Sequence, residues 1–402
     1  MTDAAMTDAS TKDAAVTTDW ARLGADTMLV REPDMNPAGK WEYEDGLMLG
    51  GMLEIHRLTG DPRYLEYARA NLDRFVRPDG SILGYRADEW NLDHVNNGKV
   101  ALDLYEATGD ERYLKAADLL FAQLLGQPRL DAGTFWHKQI YPYQTWLDGL
   151  YMGSVFYARY CRLTGRDDLW DDVALQFTTA YALTLEPSGL CAHAYDETRS
   201  MPWADPTTGR SPHVWLRALG WFVMAMTDVL EHLPVDLPQR AAVHQQLRSL
   251  LTALRSVADE RTGLWFQIPD QAGRPLNYLE ASGSFMVLAA VAKGLRLGYL
   301  DAAEWGAHLE RAWAAGVDEF LTVTAEGWVD VNRICQVAGL GGPAQRDGSY
   351  GYYMSEPIVA NDHKGVGPFL LLAAEMGRRA GSPGHRGRAS DSRSTGMPSR
   401  TG

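Results

Sequence analysis

The sequence predicts an all-α chain folded as an (α/α)6 barrel, a six-hairpin toroid, and three observations carry that expectation. A helical-hairpin signature repeats, glycine-bearing helix starts recur at six places, and helices apolar on all sides alternate with helices charged on one face. A helix apolar all round is buried and an amphipathic one is peripheral, so the alternation describes an inner ring of helices wrapped by an outer ring.

The hairpin shows first in Glu54 to Leu65, which is answered by Asp103 to Leu114; a third, worn copy runs from Arg162 to Trp170. In each copy a helical pattern ends at Thr-Gly, where glycine takes the left-handed cap, and a second helix opens on an acidic residue with an aromatic anchor. The inner-helix starts are Asp45-Gly46-Leu47, Asn97-Gly98-Lys99, Asp148-Gly149-Leu150, Leu219-Gly220-Trp221, Ser282-Gly283-Ser284 and Gly365-Val366-Gly367-Pro368. They lie roughly 50 to 80 residues apart, the length of a two-helix unit plus a loop. Ser284 to Ala292 and Pro368 to Ala374 are apolar nearly all round, whereas the helix around Arg240 to Leu254 carries charge on one face. If every inner helix begins at the same end of the ring, distant loops converge on one bowl and six helix dipoles present their positive ends to it, which suits an anionic ligand.

The chain has 402 residues, 46% hydrophobic, 13 tryptophans and a formal net charge of −14. That is ample for one large domain, expected over 20–376. Residues 1–19 and the Gly/Ser/Arg-rich stretch 377–402 read as disordered extensions. The acidity and the lack of a basic stripe argue against nucleic acid. No long apolar run could span a membrane, and no basic segment followed by an apolar one marks a signal peptide. Cys161, Cys191 and Cys335 are odd in number and widely spaced, which fits reduced thiols and a cytoplasmic location. Oligomeric state is not legible in these residues.

Candidate chemistry collects at the junctions. Asp148 stands in Tyr141 to Met152 among aromatic and apolar residues. It either caps the following helix or works as an acid, since apolar burial disfavours a charged carboxylate and is how a proton donor is kept near neutral pH. Asp93, before the second inner helix, offers the same two alternatives. Trp215, Arg217 and Trp221 bracket the start of an apolar helix; Arg217 and Trp221 are four apart, which would set a guanidinium beside an indole on one face. Guanidinium binds a carboxylate bidentately and an indole offers a stacking face for a sugar; the other reading pairs Arg217 with Asp196 or Glu197. Trp41, Tyr43, His137, Lys138, His193 and His363 complete a collection of aromatics, histidines and cations that looks like a site for an acidic sugar. No histidine pair at metal-ligand spacing lies on one helix face, so no metal is expected. No serine elbow occurs either.

These motifs resemble the unsaturated uronyl hydrolases of glycoside hydrolase families 88 and 105, and family 105, the unsaturated rhamnogalacturonyl hydrolases, more closely. The resemblance covers about Trp41 to Glu375. It rests on Trp41 to Gly46, Leu92 to Lys99, Trp146 to Met152, Trp215 to Trp221 and His363 to Phe369. It implies an (α/α)6 barrel and a cofactor-free hydration. A 4,5-unsaturated uronate at the non-reducing end of a lyase-generated oligosaccharide is protonated at C4, water adds at C5, and the hemiketal opens to release the next sugar.

By its motif Asp148 would be the acid and base. Asp93 would bind sugar hydroxyls and keep Asp148 protonated by like-charge repulsion. His193 and Arg217 would hold the uronate, Trp221 would stack, and His137 with Trp41 or Tyr43 would touch the ring or the next sugar. The loop from Ser200 to Pro212 is where that next sugar would be read. Unsaturated galacturonyl-rhamnose from rhamnogalacturonan is the expected substrate; unsaturated glucuronyl fragments of ulvan or glycosaminoglycans are the alternative. A sugar 2-epimerase, which shares the toroid and works with paired histidines, is the alternative from another class, with His193, His213 and His363 as its candidates.

Overall fold

The computed structural model describes residues 18–381. Most of the two expected extensions lies outside the described residues. Asp19 caps the first helix by accepting from the Arg22 N–H. The last helix continues past residue 376 to Gly381, where Arg379 pairs with Glu310.

In chain order the helices are α1 (Trp20–Arg31), α2 (Tyr43–Thr59), α3 (Pro62–Leu72), α4 (Gly98–Thr108), α5 (Glu111–Gly126), α6 (Leu147–Gly149), α7 (Val155–Thr164), α8 (Trp170–Thr184), α9 (Leu216–His232), α10 (Pro238–Ser256), α11 (Ala281–Arg296), α12 (Ala302–Phe320), α13 (Tyr350–Ser355) and α14 (His363–Gly381). A π turn over Leu150–Ser154 joins α6 to α7 into one inner helix. Neighbouring inner helices touch in the cycle α2, α4, α7, α9, α11, α14 and back to α2, so the ring is closed. α3, α5, α8, α10 and α12 each pack outside the inner helix that precedes them. α1 supplies the sixth outer helix by packing on α14, the far end of the chain. The sequence pattern gives no sign of that role, because α1 precedes the first hairpin repeat.

The sequence logic of the hairpins holds in detail. Gly60, Gly109 and Gly165 all end their helices at φ 70°, in the left-handed region. Asp61 and Asp110 then cap α3 and α5. The aromatic anchors Tyr64 and Tyr113 are fully buried, and each hydroxyl donates to an aspartate of the preceding outer helical layer, Asp26 at 3.0 Å and Asp73 at 2.7 Å. The repeat therefore encodes contact between successive outer helices as well as the turn. Inner helices are buried on all sides, as α9 and α11 show, while α10 buries Val243, Leu247, Leu250, Leu251 and Leu254 at helical spacing.

The recurring inner-helix glycines have a packing cause. A Cβ on Gly283 would lie 2.4 Å from Leu216 Cγ of α9, and one on Gly220 would lie 2.7 Å from Met286 Cβ of α11. The same reciprocity joins α2 and α14 through Gly51 against Leu370 and Gly367 against Leu47. Glycine lets these helices approach more closely than a side chain would allow, and that tightness closes the ring.

Candidate active site

Two short antiparallel strands bring the third and fourth junctions together. β1 (Gln144–Trp146) pairs with β2 (Ala194–Asp196), Gln144 opposite Asp196 and Trp146 opposite Ala194. The Leu147 N–H continues the contact, donating to the His193 carbonyl at 3.2 Å. The chain just past β1 therefore lies beside the chain just before β2, and His193 Nε2 comes within 3.3 Å of Asp148 Oδ2. His193 is fully buried. Its ring lies 4.6 Å from Trp215 and edge-on to Trp146, and its Nδ1 is 2.8 Å from the Tyr353 hydroxyl.

Neither acidic candidate is a helix cap. The cap position of α6 is Trp146, with no side-chain cap bond, and Asp148 Oδ2 is buried without a hydrogen bond. For the 3-10 turn Leu92–Val95 the cap is Asn91, whose side chain accepts from the Asp93 N–H at 3.0 Å. Both carboxylates are thus left for other work. The π turn immediately after Asp148 belongs to a type of irregularity often found at functional sites.

Asp93 is held from one side by Lys138 and His137. Lys138 forms an ion pair with Oδ2, and His137 Nε2 stands 3.5 Å from Oδ1. Burial pushes the Asp93 carboxyl up, but Lys138 and then His137 outweigh it and hold it below the ordinary range. Lys138 thus compensates the Asp93 charge. His137 is buried and stacks flat on Trp146 at 4.8 Å and 11°. Burial pushes its imidazole down to about 4, so the ring is neutral at physiological pH, with Nδ1 unpartnered.

Arg217 in α9 is 1% exposed and donates through Nη1 to the Cys335 carbonyl and to Ser282 Oγ. Cys335 lies in a short strand, Ile334–Cys335, which pairs antiparallel with Ile358–Val359. Among the described residues no carboxylate forms an ion pair with this guanidinium, so the other reading, a pairing with Asp196 or Glu197, does not hold. Asp196 instead accepts backbone N–H bonds from Thr198, Ser200 and Met201, and Glu197 accepts from Asp131. The indole beside the guanidinium belongs to Trp215, at 4.7 Å, rather than to Trp221. Trp221 is 1% exposed and packs against Tyr43 and Tyr151, forming floor rather than an open stacking face.

Tyr43 opens α2 half-buried, near enough to Arg217, Asp93 and Asp148 for their charges to act on its phenol; burial first and then Glu44 hold that phenol well above its ordinary value. Trp41 is 3% exposed and braces the Asp93 loop from behind, donating to the His94 carbonyl at 2.8 Å. His363 is committed to Glu32 at the end of α1, 2.6 Å away, and His213 is bonded to Gln271. The structure thus gathers Asp93, His137, Lys138, Asp148, His193, Arg217, Trp215 and Tyr43, with Trp41 and Trp221 as supports. Tyr353, on α13, and Trp146 escape the sequence reading as site residues; no local pattern marks a tyrosine from so remote a loop. Trp203, in the Ser200 to Pro212 loop, is 3% exposed and packs with Tyr141, Trp146 and Leu340.

A cavity of about 400 Å³ occupies the ring lumen toward the other ends of the inner helices. Most of its ionic groups pair among themselves: Arg57 and Arg159 on Asp103, Lys293 on Asp228 and Glu231, Arg296 on Glu375. Lys99, also in the lining, is spent on the Tyr151 carbonyl at 3.1 Å and on the face of the Tyr151 ring, so the mouth, where Asp148 Oδ2 is left without a hydrogen bond, is the better candidate. Among the described residues no three His, Cys, Asp or Glu side chains are grouped to hold a metal, and no helix is long and apolar enough to cross a membrane.

The closed helical toroid, with carboxylates, histidines and a buried arginine gathered where its inner helices begin, is that of a glycoside hydrolase. Residues 20–380 match Glycosyl Hydrolase Family 88, and the chain belongs to that family. A glycoside hydrolase from family 105 of C. acetobutylicum superposes with a TM-score of 0.87 at 43% identity, covering 89% of this chain and 99% of its own. A protein of Agrobacterium fabrum is 40% identical over 229 residues, 56% of this chain and 97% of that one. An unsaturated rhamnogalacturonyl hydrolase of Bacillus subtilis is 28% identical over 258 residues, 62% of this chain and 70% of its own length.

Proposed function

We propose that the protein removes a 4,5-unsaturated uronic acid from the non-reducing end of lyase-generated oligosaccharides, with unsaturated galacturonyl-rhamnose from rhamnogalacturonan as its substrate. The observation that carries this reading is Asp148, uncapped, 14% exposed at its side chain and 3.3 Å from His193. Arg217, with no carboxylate partner among the described residues, suits the uronate carboxylate, as do the inner-helix N-termini. The name of the Bacillus subtilis relative supports rhamnogalacturonan over glucuronyl substrates.

Asp148 delivers its proton to C4 of the vinyl ether, leaving an oxocarbenium-like centre at C5. The resulting carboxylate takes a proton from water as the oxygen adds at C5, so the acid is regenerated. The C5 hemiketal then opens and the neighbouring sugar departs. Asp93, fixed by Lys138, accepts from ring hydroxyls, with neutral His137 beside it. The pairing of His363 with Glu32 and of His213 with Gln271 commits both histidines that the epimerase reading set beside His193, which disfavours that chemistry. A cytoplasmic enzyme that trims imported lyase products accords with three buried thiols.

The test follows the ultraviolet absorbance of the conjugated uronate on mixing enzyme with lyase-derived disaccharides of rhamnogalacturonan, ulvan and glycosaminoglycans. Decay with the rhamnogalacturonan disaccharide, lost on the order of 10²–10⁴-fold in Asp148→Asn with KM little changed, is expected. Absence of decay with all three would sink the reading.

A further inference from the structure

The buried hydrogen bond between Tyr353 and His193 has only one consistent direction. Both residues are fully buried, and among the described residues the Tyr353 hydroxyl has a single partner, His193 Nδ1 at 2.8 Å. A phenol carries one proton. If Nδ1 bore a hydrogen and donated it to the phenol oxygen, the phenolic hydrogen would be left buried with no acceptor, a loss that folded proteins rarely tolerate. An imidazolium would create the same fault. The hydroxyl must donate to a bare Nδ1, which puts the imidazole hydrogen on Nε2. Burial, the largest influence on the Tyr353 phenol, keeps it well above its ordinary value and so protonated.

Nε2 and Asp148 Oδ2 are both buried without an aligned hydrogen bond, and each is the other's neighbour at 3.3 Å. Active-site bonds that are long in the resting enzyme tighten when charge develops. We propose that Tyr353 is a positioning residue which locks His193 in the Nε2–H tautomer, so that His193 donates to Asp148 Oδ2 and Asp148 gives up its proton from Oδ1. This deepens the hydration reading above and rests on it for the catalytic part. When the Oδ1 proton passes to C4, negative charge appears on the carboxylate and the Nε2–H is already aimed at it. The same carboxylate then takes a proton from the adding water, and His193 keeps its own hydrogen throughout.

Sequence offers no route to this arrangement. Tyr353 lies 160 positions from His193. It reaches the site because α13 packs its ring against Trp215, whose other neighbours are His193 and the Arg217 guanidinium.

The test has two arms. In the resting protein, ¹⁵N NMR of labelled histidine side chains, with His193 identified by its disappearance in His193→Gln, is expected to show a neutral ring protonated at Nε2. A wild-type His193 protonated at Nδ1 would overturn the proposal, and this arm needs no substrate, so it is independent of the assigned activity. In Tyr353→Phe the ring is expected to lose that fixed tautomer. kcat should fall about three- to tenfold, the worth of one neutral hydrogen bond, with KM unchanged. The alkaline limb of kcat/KM should move to higher pH, because the carboxylate of Asp148 loses its donor. A Tyr353→Phe enzyme with wild-type kcat and pH profile, or one in which only thermal stability drops, would refute the positioning role.

Discussion

Gly283→Ala and Gly50→Ala set two opposed effects against each other on inner helices of the same ring. Alanine is favoured over glycine inside a helix by about 1 kcal/mol, so each substitution starts with that gain. Gly50 lies within α2, and a Cβ added there would meet nothing within 4 Å, so the gain should survive. At Gly283 the new methyl would meet Leu216 Cγ at 2.4 Å, with Arg217 N and Leu216 C at 3.0 Å. Carbon atoms rest at about 3.5–4.0 Å, so α9 and α11 must part by roughly 1 Å. Overpacking of a tight interface costs about 1–3 kcal/mol, and two of the three contacts here are backbone that cannot rotate away. The net expectation is a loss of up to about 2 kcal/mol for Gly283→Ala and a gain of about 1 kcal/mol for Gly50→Ala. For a chain of this length that is about 1 °C in Tm per kcal/mol, downward and upward respectively. Calorimetry at one scan rate measures both. Because the Arg217 backbone is displaced together with Leu216, KM for the unsaturated disaccharide should also rise for Gly283→Ala and stay fixed for Gly50→Ala. A Gly283→Ala protein more stable than wild type would refute the view that these glycines exist to let helices approach.

Lys138→Met should strand the Asp93 carboxylate. Breaking a buried pair costs about 3–5 kcal/mol, and because Asp93 is held below its ordinary range in the native protein, its contribution is present above about pH 4 and fades as pH falls. The Tm gap between variant and wild type should therefore be wider at pH 7 than at pH 3. Asp45 behaves oppositely: burial, opposed by the Asn36 hydrogen bond, raises its carboxyl to about 7, so the folded state keeps a proton the unfolded chain has shed. That lowers stability progressively from about pH 4 to 7, and Asp45→Asn should stabilise the protein at pH 8 and leave it nearly unchanged at pH 4. Burial pushes the Cys161 and Cys191 thiols up to about 12 and Cys335 to about 11, so an aromatic disulfide reagent should titrate none of the three at pH 8 until the protein is denatured.

The ring is legible in the chain because hairpin caps, all-apolar helices and their alternation are local or periodic signals. Thr59-Gly60 and Thr108-Gly109 need nothing beyond their own neighbours to announce a turn. The inner-helix glycines are visible too, but their reason is not: Gly283 acquires its meaning only against Leu216, an interhelical contact. The site divides the same way. Asp93, His137, Lys138, Asp148, His193 and Arg217 stand out as chemistry-bearing residues near helix starts, and their convergence follows from the toroid. Which of them pair does not follow. Lys138 claims Asp93, Trp215 rather than Trp221 lies under the guanidinium, and His363 goes to Glu32, because partners far apart in sequence are set by packing geometry that periodicity does not encode. Sequence alone determined the hairpin repeat, the alternation of its inner and outer helices and the helix starts near which the candidate residues lie. Only the tertiary structure decided that β1 and β2 set Asp148 beside His193 and that Tyr353 closes over the imidazole, since a buried hydrogen bond acquires a direction only when every other possible partner has been placed.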